Sequence, residues 1–209
     1  MSEDDRVRWD ARYAAGSYSE KDHPCPLLAQ WGEQLAAEHG RARALDLACG
    51  RGRNALFLAE LGCDVEGLDI STVAIQHARQ AATARQCKVE WRITDLDEVA
   101  LPQERYSLVV VSRYRYHDLP ALADTLVPGG TLLYEQHAAL PTPPTVPIGG
   151  PKSNRFRLAP NQLVHELVPP LWLRHYEEGT FTDPDGATMA LSRMVANRPI
   201  SAFVKFLPH

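Results

Sequence analysis

Between Arg43 and His137, short apolar runs alternate with segments of helical period, and this alternation restricts the fold more than any other feature of the chain. ALDLA (Ala44 to Ala48) reads as a buried strand. Arg53 to Leu61 follows, with Ala55, Leu58, Ala59 and then Gly62 at helical spacing. DVEGLDI (Asp64 to Ile70) is a second strand, and Ser71 is placed to cap a helix carrying Ile75, Ala78 and Ala82 on one stripe. Lys88 to Asp95 alternates with period two as a third strand, and Tyr106 to Tyr114, apolar on both faces, is a central fourth. Asp118 to Leu126 makes a short helix stopped by Pro128-Gly129-Gly130, and Thr131 to Ala138 is a fifth strand. Strands and helices alternating at this spacing predict a Rossmann-like open α/β sheet, mostly parallel, with helices on both faces.

The pattern breaks at Ala139 to Pro151, which holds five of the sixteen prolines and continues neither a helix nor a central strand. A helix over Pro160 to Val168 is expected next, then two β-like runs, Leu171 to Phe181 and Ala187 to Ala196, joined by the turn signal Asp183-Pro184-Asp185-Gly186. They form an antiparallel hairpin at the sheet edge, which brings the sheet to seven strands. The 209 residues fit one domain, 1–209, whose core needs no disulfide or metal. The apolar residues Ile200, Phe203, Val204, Phe206 and Leu207 indicate that the last segment is covered, by the sheet or by another subunit. Nothing in the sequence fixes an oligomeric state.

Chemistry concentrates in Asp46-Leu-Ala-Cys-Gly50-Arg-Gly52-Arg-Asn54-Ala55. Gly50 and Gly52 follow a strand and open a helix, where the backbone turns tightly and a ligand approaches without a Cβ in the way. Glycine in a strand-to-helix turn is common, so further residues must carry the reading. Asp69 ends the second strand, seventeen residues after Gly52, where a carboxylate accepts hydrogen bonds from both hydroxyls of a ribose. Asp95 ends the third, followed by Leu96 as an apolar wall for an adenine. Each Asp alone also fits a helix cap; all at strand ends together favour a nucleotide-type cofactor.

With these residues in place, DLACGRGRNALFLAELG, GLDIS and TDLDE resemble the class I S-adenosylmethionine-dependent methyltransferases. That fold also appends an antiparallel seventh strand. Trp9-Asp10-Ala11-Arg12-Tyr13 is similar to the W-x-x-R-Y opening of the tellurite-resistance and thiopurine-like branch, whose opening segment folds over the cofactor. The resemblance implies S-adenosyl-L-methionine as cofactor, residues 1–40 as a helical lid and 139–158 as a proline-rich active-site loop. It also implies that Gly50 and Gly52 meet the methionine part, and that Asp46 orders the loop or meets the amino group. Asn54 and Ile70 border the site, Asp69 holds the ribose, and Asp95 with Leu96 lines the adenine. Ser112 and Arg113 lie beside the sulfonium, Arg12 pairs with the methionine carboxylate, and Trp9 and Tyr13 close the lid or simply pack an N-terminal helix. Ala48 stands where many relatives have a first glycine and is small enough to keep the loop.

Methyl transfer from a sulfonium needs alignment and exclusion of water more than covalent chemistry. Candidates for proton transfer near the strand ends are Tyr114, Tyr116, His117, Asp118, Glu135 and His137, and Arg113 joins Tyr114, His117 and His137 as a candidate catalytic residue. Either histidine also fits a cap or the surface, and Glu135 equally fits a buried pair with an arginine. Arg113, Arg115, Lys152, Arg155 and Arg157 form either a clamp for an anionic acceptor or a solvated basic edge. The acceptor is expected to be a small molecule: a thiol, a chalcogen oxyanion or a carboxylate-bearing metabolite. Ser-Arg-Tyr-Arg at the fourth strand's exit differs from the Asn/Asp-Pro-Pro-Tyr of nucleobase or glutamine amino methyltransferases. Pro24-Cys25 precedes the glycine loop, unlike the nucleophile of cytosine-carbon enzymes.

A net charge of −4 without a basic run argues against nucleic acid or anionic lipid as partner. Four scattered cysteines without a C-x-x-C pair point to free thiols and no metal site. The polar start and the absence of a long apolar run lead to an expectation of a cytoplasmic protein without a membrane span. Two other readings stay open: a catalytically silent domain that binds the cofactor or its product, and an NAD(P)-dependent oxidoreductase.

Overall fold

The computed structural model describes residues 3–142, 144 and 147–200. Among these, seven strands form one sheet in the order β3-β2-β1-β4-β5-β7-β6. The strands are β1 (Arg43–Leu47), β2 (Asp64–Asp69), β3 (Val89–Ile93), β4 (Tyr106–Ser112), β5 (Leu126–His137), β6 (Trp172–Thr182) and β7 (Thr188–Asn197). The first five are parallel to one another, while β7 runs antiparallel to both β5 and β6. The helices are α1 (Glu3–Ala14), α2 (Pro26–His39), α3 (Arg53–Glu60), α4 (Thr72–Ala84), α5 (Leu119–Thr125) and α6 (Gln162–Leu167).

The doubly apolar runs become the centre of the sheet because each face finds its own helices. Leu45, Val109, Val111 and Leu132 face one cluster with α5 and α6, while Ala44, Leu108, Val110 and Leu133 face α2 and α3. Ser71 caps α4 by accepting from the Ala74 amide at 3.1 Å, as its position in the sequence predicts. Asp118 caps α5 through the Ala121 amide at 3.2 Å.

Three expectations need correction. Pro128-Gly129-Gly130 stops α5 but lies inside β5, which starts at Leu126 with a register shift against Tyr106 and Leu108. The segment is held there by Arg198, whose carbonyl takes the Gly129 amide and whose amide meets the Gly130 carbonyl, each at 2.8 Å. The helix expected over Pro160 to Val168 is trimmed to α6 because Asn161, at φ 60, cannot join it. The segment 1–40 is not one lid: Leu27, Leu28 and Leu35 of α2 are fully buried, so α2 belongs to the core and only α1 with its linker overlies the glycine loop. The proline segment is a closed loop whose base is the Leu158 amide on the His137 carbonyl at 2.8 Å. Ser201 to His209, the core of the apolar terminal segment, lies outside the described residues.

Candidate cofactor and active site

The loop from β1 to α3 takes left-handed backbone at Ala48 (φ 56), Gly50 (φ 55) and Gly52 (φ 83). At Ala48 this costs an L-residue about 1–2 kcal/mol, so the departure from glycine is a strained one. A Cβ on Gly50 would stand 2.6 Å from the Tyr13 hydroxyl, so the bare backbone makes room for a group lowered from α1. Gly52 has another neighbour: a Cβ there would stand 2.4 Å from the indole of Trp91.

Two buried carboxylates flank the cradle. Asp69 accepts the Gly50 amide (2.8 Å) on one oxygen and the Ser71 amide (2.9 Å) on the other, which braces the loop against the end of β2. An ionised carboxylate has about four acceptor positions, so capacity for ligand hydroxyls remains. Asp46 accepts the Ala55 amide at 3.0 Å on Oδ2; the Asn54 side chain lies beside the same carboxylate, but its buried Oδ1 has no hydrogen bond of good geometry. Burial pushes the Asp46 carboxyl up to about 7 and that of Asp69 up to about 6. Asn54 is buried and accepts the Cys25 amide at 2.8 Å, and Ile70 is buried at the end of β2. Asp95 is half-buried and accepts the Asp97 amide at 2.9 Å, and Leu96 is packed inside the core.

The raised carboxyls make stability pH-dependent. A group raised in the folded state holds a proton that the unfolded chain has released, so its contribution is fully present below the unfolded value and is lost as pH rises through the folded one. For Asp46 that window runs from the reference 3.8 to about 7. The ring of His137, held down to about 4 from 6.5, works in the opposite direction over much of the same range. A difference between variants isolates Asp46. Relative to wild type, Asp46→Asn should gain about 2–4 kcal/mol between pH 4 and pH 7.5 in urea titrations. A difference that stays flat with pH would mean that Asp46 titrates normally.

Helix α1 is fastened to the sheet's helices by Asp10, which the sequence marks only as part of the Trp9-to-Tyr13 segment. Asp10 Oδ1 accepts the Ser71 hydroxyl at 2.6 Å and the Val73 amide at 3.1 Å, tying α1 to the start of α4. Asp10 and Tyr13 are three apart, so one face of α1 carries both the fastening and the buried ring; that spacing was a usable signal. Trp9 is half-buried 6.1 Å from the Tyr13 ring, and Arg12 is exposed with its guanidinium 5.1 Å from the Trp9 ring centre.

At the end of β4, Ser112 Oγ is buried beside the Cys25 thiol, without a hydrogen-bond partner of good geometry. Arg113, at φ 60, donates to Glu135 (2.9 Å) and Asp183 (2.9 Å). Glu135 is fully buried, and its other oxygen lies 2.8 Å from Arg193 Nε, a charge contact rather than an aligned hydrogen bond. Asp183 also meets Lys21 at 3.1 Å, which joins the α1–α2 linker to the β6–β7 turn. Glu135 is thus the paired alternative and not a free base. Of the two readings of the basic residues, the structure has the solvated edge: Arg115, Lys152 and Arg155 are exposed, Arg115 donates to the Arg155 carbonyl, Arg155 stacks on Phe156, and Arg157 donates to the Pro151 carbonyl.

His137 ends β5 and is kept neutral by burial, with Arg113 and Arg157 adding to the effect. The proline loop covers it so closely that a Cβ on Gly150 would stand 2.8 Å from its Nδ1. His117 has 51% of its side chain exposed and lies 3.3 Å from Asp97, away from this group. Tyr114 donates to Asp97 at 3.4 Å. Tyr134, absent from the candidate set, takes the Tyr116 amide (3.0 Å) and donates to the Tyr114 carbonyl (2.9 Å), fixing the β4 exit from below.

Residues 44–130 match the family described as "Methyltransferase domain". That segment of the chain is similar to methyltransferase domains. This domain is similar to the ubiquinone biosynthesis O-methyltransferase of Bordetella avium (strain 197N), 29% identical over 52% of the chain and 48% of that protein. Its fold is that of TehB from Haemophilus influenzae, at 24% identity and a TM-score of 0.65 over 79% of this chain and 60% of that one. The 1,6-didemethyltoxoflavin-N1-methyltransferase of Burkholderia thailandensis, solved with S-adenosylhomocysteine bound, shares the fold at 17% identity and a TM-score of 0.63, covering 93% and 87% of the two chains. The chain spans about half the length of this ubiquinone biosynthesis relative. Among the described residues, no helix is long and apolar enough to cross a membrane.

Proposed function

We propose that this domain transfers a methyl group by in-line displacement to a small-molecule acceptor bound at the ends of β4 and β5. The observation that carries the reading is the cradle itself: the bare Gly50 backbone beneath Tyr13, braced by Asp69 and bordered by the Asp46 oxygen that lacks a well-aligned donor. A buried acceptor whose neighbouring donor is poorly aligned gains from a ligand that supplies a better one, and an ammonium would do so. When bound, S-adenosylmethionine supplies a methyl group on a positively charged sulfur, a carbon already activated for displacement.

The residues of the chain then bind, align and exclude water. Asp69 holds the ribose hydroxyls, Asp95 and Leu96 border the adenine, and α1 covers the loop. His137, neutral at neutral pH, is the group best placed to receive a proton from the acceptor. Of the acceptor classes, a thiol is favoured over a carboxylate or an oxyanion. The support for this is that Arg113 is held by Glu135 and Asp183, and Arg157 by the Pro151 carbonyl, while Arg115 and Arg155 lie out in solvent.

The test is calorimetric titration with S-adenosylmethionine, its demethylated product and NADH, on wild type and Asp69→Ala. Micromolar binding of the first two is expected, weakened about 100-fold in the variant, because two charge-assisted hydrogen bonds are lost. Binding of NADH alone would replace this reading with an oxidoreductase. Tight cofactor binding with no transfer to any thiol, oxyanion or carboxylate in a mass-spectrometric screen would favour a silent cofactor-binding domain.

A further inference from the structure

Helix α1 lies over the glycine loop with little apolar surface to hold it there. Tyr13 is the buried residue of its twelve, and a Cβ on Gly50 would stand 2.6 Å from the Tyr13 hydroxyl. Two polar fastenings hold the segment on either side of that ring. Asp10 takes the Ser71 hydroxyl and the Val73 amide at the start of α4. Lys21 Nζ lies 3.1 Å from Asp183 and 2.8 Å from Asp185, both in the β6–β7 turn. Between the two, Gly16 (φ 80) and Tyr18 (φ 65) take left-handed backbone, and the space around Gly16 is open. At the surface, Arg85 also donates to the Asp22 carbonyl at 3.3 Å.

The two fastenings differ in what their release costs. Asp10 sits at the N-terminus of α4, where the free amides and the helix dipole favour a carboxylate, and its partner Ser71 is fully buried. Breaking that contact leaves a buried hydroxyl proton without an acceptor. The Lys21 bridge is different. The side chains of Lys21 and Asp185 are 21% and 25% exposed, so both ions gain hydration on release. Asp183 is 1% exposed, but its other oxygen keeps Arg113 at 2.9 Å, so it is not left without a cation. The bridge is therefore a reversible contact. Salt screens it, and screens the hydrogen bonds of Asp10 to neutral groups much less.

We propose that Lys21 is an ionic latch on the Gly50 cradle, and that release of its bridge to Asp183 and Asp185 is the step that sets how fast the cofactor exchanges. With the bridge closed, the Tyr13 hydroxyl stays on Gly50. With it released, α1 pivots on Asp10, and its C-terminal end lifts Tyr13 away. This rests on the cofactor reading above. The latch also ties the two halves of the site together, because one carboxylate, that of Asp183, serves both Lys21 on the α1–α2 linker and Arg113 at the exit of β4.

The experiment reads two rates on wild type, Lys21→Gln, Lys21→Arg and Asp185→Asn: amide hydrogen exchange by mass spectrometry, and dissociation of S-adenosylhomocysteine by stopped flow. Both are measured at about 0.05 M and about 0.5 M sodium chloride, on either side of strong screening. In Lys21→Gln at low salt, exchange of the α1 amides and ligand dissociation should each speed up about 5- to 10-fold, while the amides of β4 and β5 keep their wild-type rates. Lys21→Arg keeps the charge and should stay close to wild type. Asp185→Asn, which leaves Asp183 both of its cations, should speed both rates about twofold, and it serves if Lys21→Gln is poorly folded. High salt should bring wild type toward Lys21→Gln and leave Lys21→Gln unchanged. Equal acceleration in α1 and in the central strands would show a loss of overall stability and overturn the latch. So would salt-insensitive rates in wild type. Wild type that binds S-adenosylhomocysteine, with an unaltered dissociation rate in Lys21→Gln, would refute the latch alone. Wild type that binds none would end the cofactor reading and this proposal together.

Discussion

Truncating Glu135 to alanine is expected to destabilise the domain by about 3–5 kcal/mol, the usual cost of removing one partner from a buried ion pair. Glu135 has no exposed surface, and it stands between two guanidiniums that are themselves largely buried, those of Arg113 and Arg193. Arg113 keeps Asp183, but Arg193 is left with Glu177 at 3.4 Å and the face of Phe181 at 3.8 Å. Neither replaces a carboxylate at the centre of the sheet. Glu135→Gln should cost less, because it keeps the shape and an acceptor for Arg113 Nε. Urea denaturation would measure the order: alanine worst, glutamine intermediate. A loss below about 1 kcal/mol in the alanine variant would show that the pairs only offset their own desolvation. The consequence reaches the site, because the same chain of charges runs through Asp183 to Lys21 and Asp185, holding the α1–α2 linker against the hairpin turn.

That chain of charges also marks where the sequence stopped being legible. The alternation from Arg43 to His137 exposed the sheet because period and apolarity are local properties, repeated several times. That Gly50 and Asp69 meet, amide to carboxylate at 2.8 Å, was legible for a related reason: both were placed at strand ends, and strand ends can be located. Asp10 acts on Ser71 across 61 positions, and Lys21 acts on Asp183 across 162, so neither leaves a pattern in its own neighbourhood. Asp183 was visible only as a turn residue, although its carboxylate is buried and binds Arg113 and Lys21. The basic residues around the proline loop looked like an anion clamp because they are close in sequence; their partners are carbonyls and a ring that the sequence does not mark.

Gly52 illustrates the same limit, and replacing it with alanine is expected to cost about 2–5 kcal/mol whether or not a ligand is bound. Two penalties add. At φ 83 an L-residue is strained by about 1–2 kcal/mol, and forcing a methyl group into a filled space costs about 1–3 kcal/mol more. The new Cβ would stand 2.4 Å from the Trp91 indole and 3.1 Å from the Ala78 Cβ, with neither neighbour placed to yield freely. Trp91 also lies against Gly67, where a Cβ would stand 2.7 Å from the same ring. Two glycines from separate elements thus form the slot for one side chain. Gly67→Ala meets the ring without the left-handed backbone, so it should cost less than Gly52→Ala. In a Trp91→Leu background the steric part should shrink at both positions, leaving the backbone strain at Gly52 alone. Urea midpoints for the five variants would test this. If Gly52→Ala kept wild-type stability and lost only cofactor affinity, the glycine would serve the ligand, and the indole would have room to move.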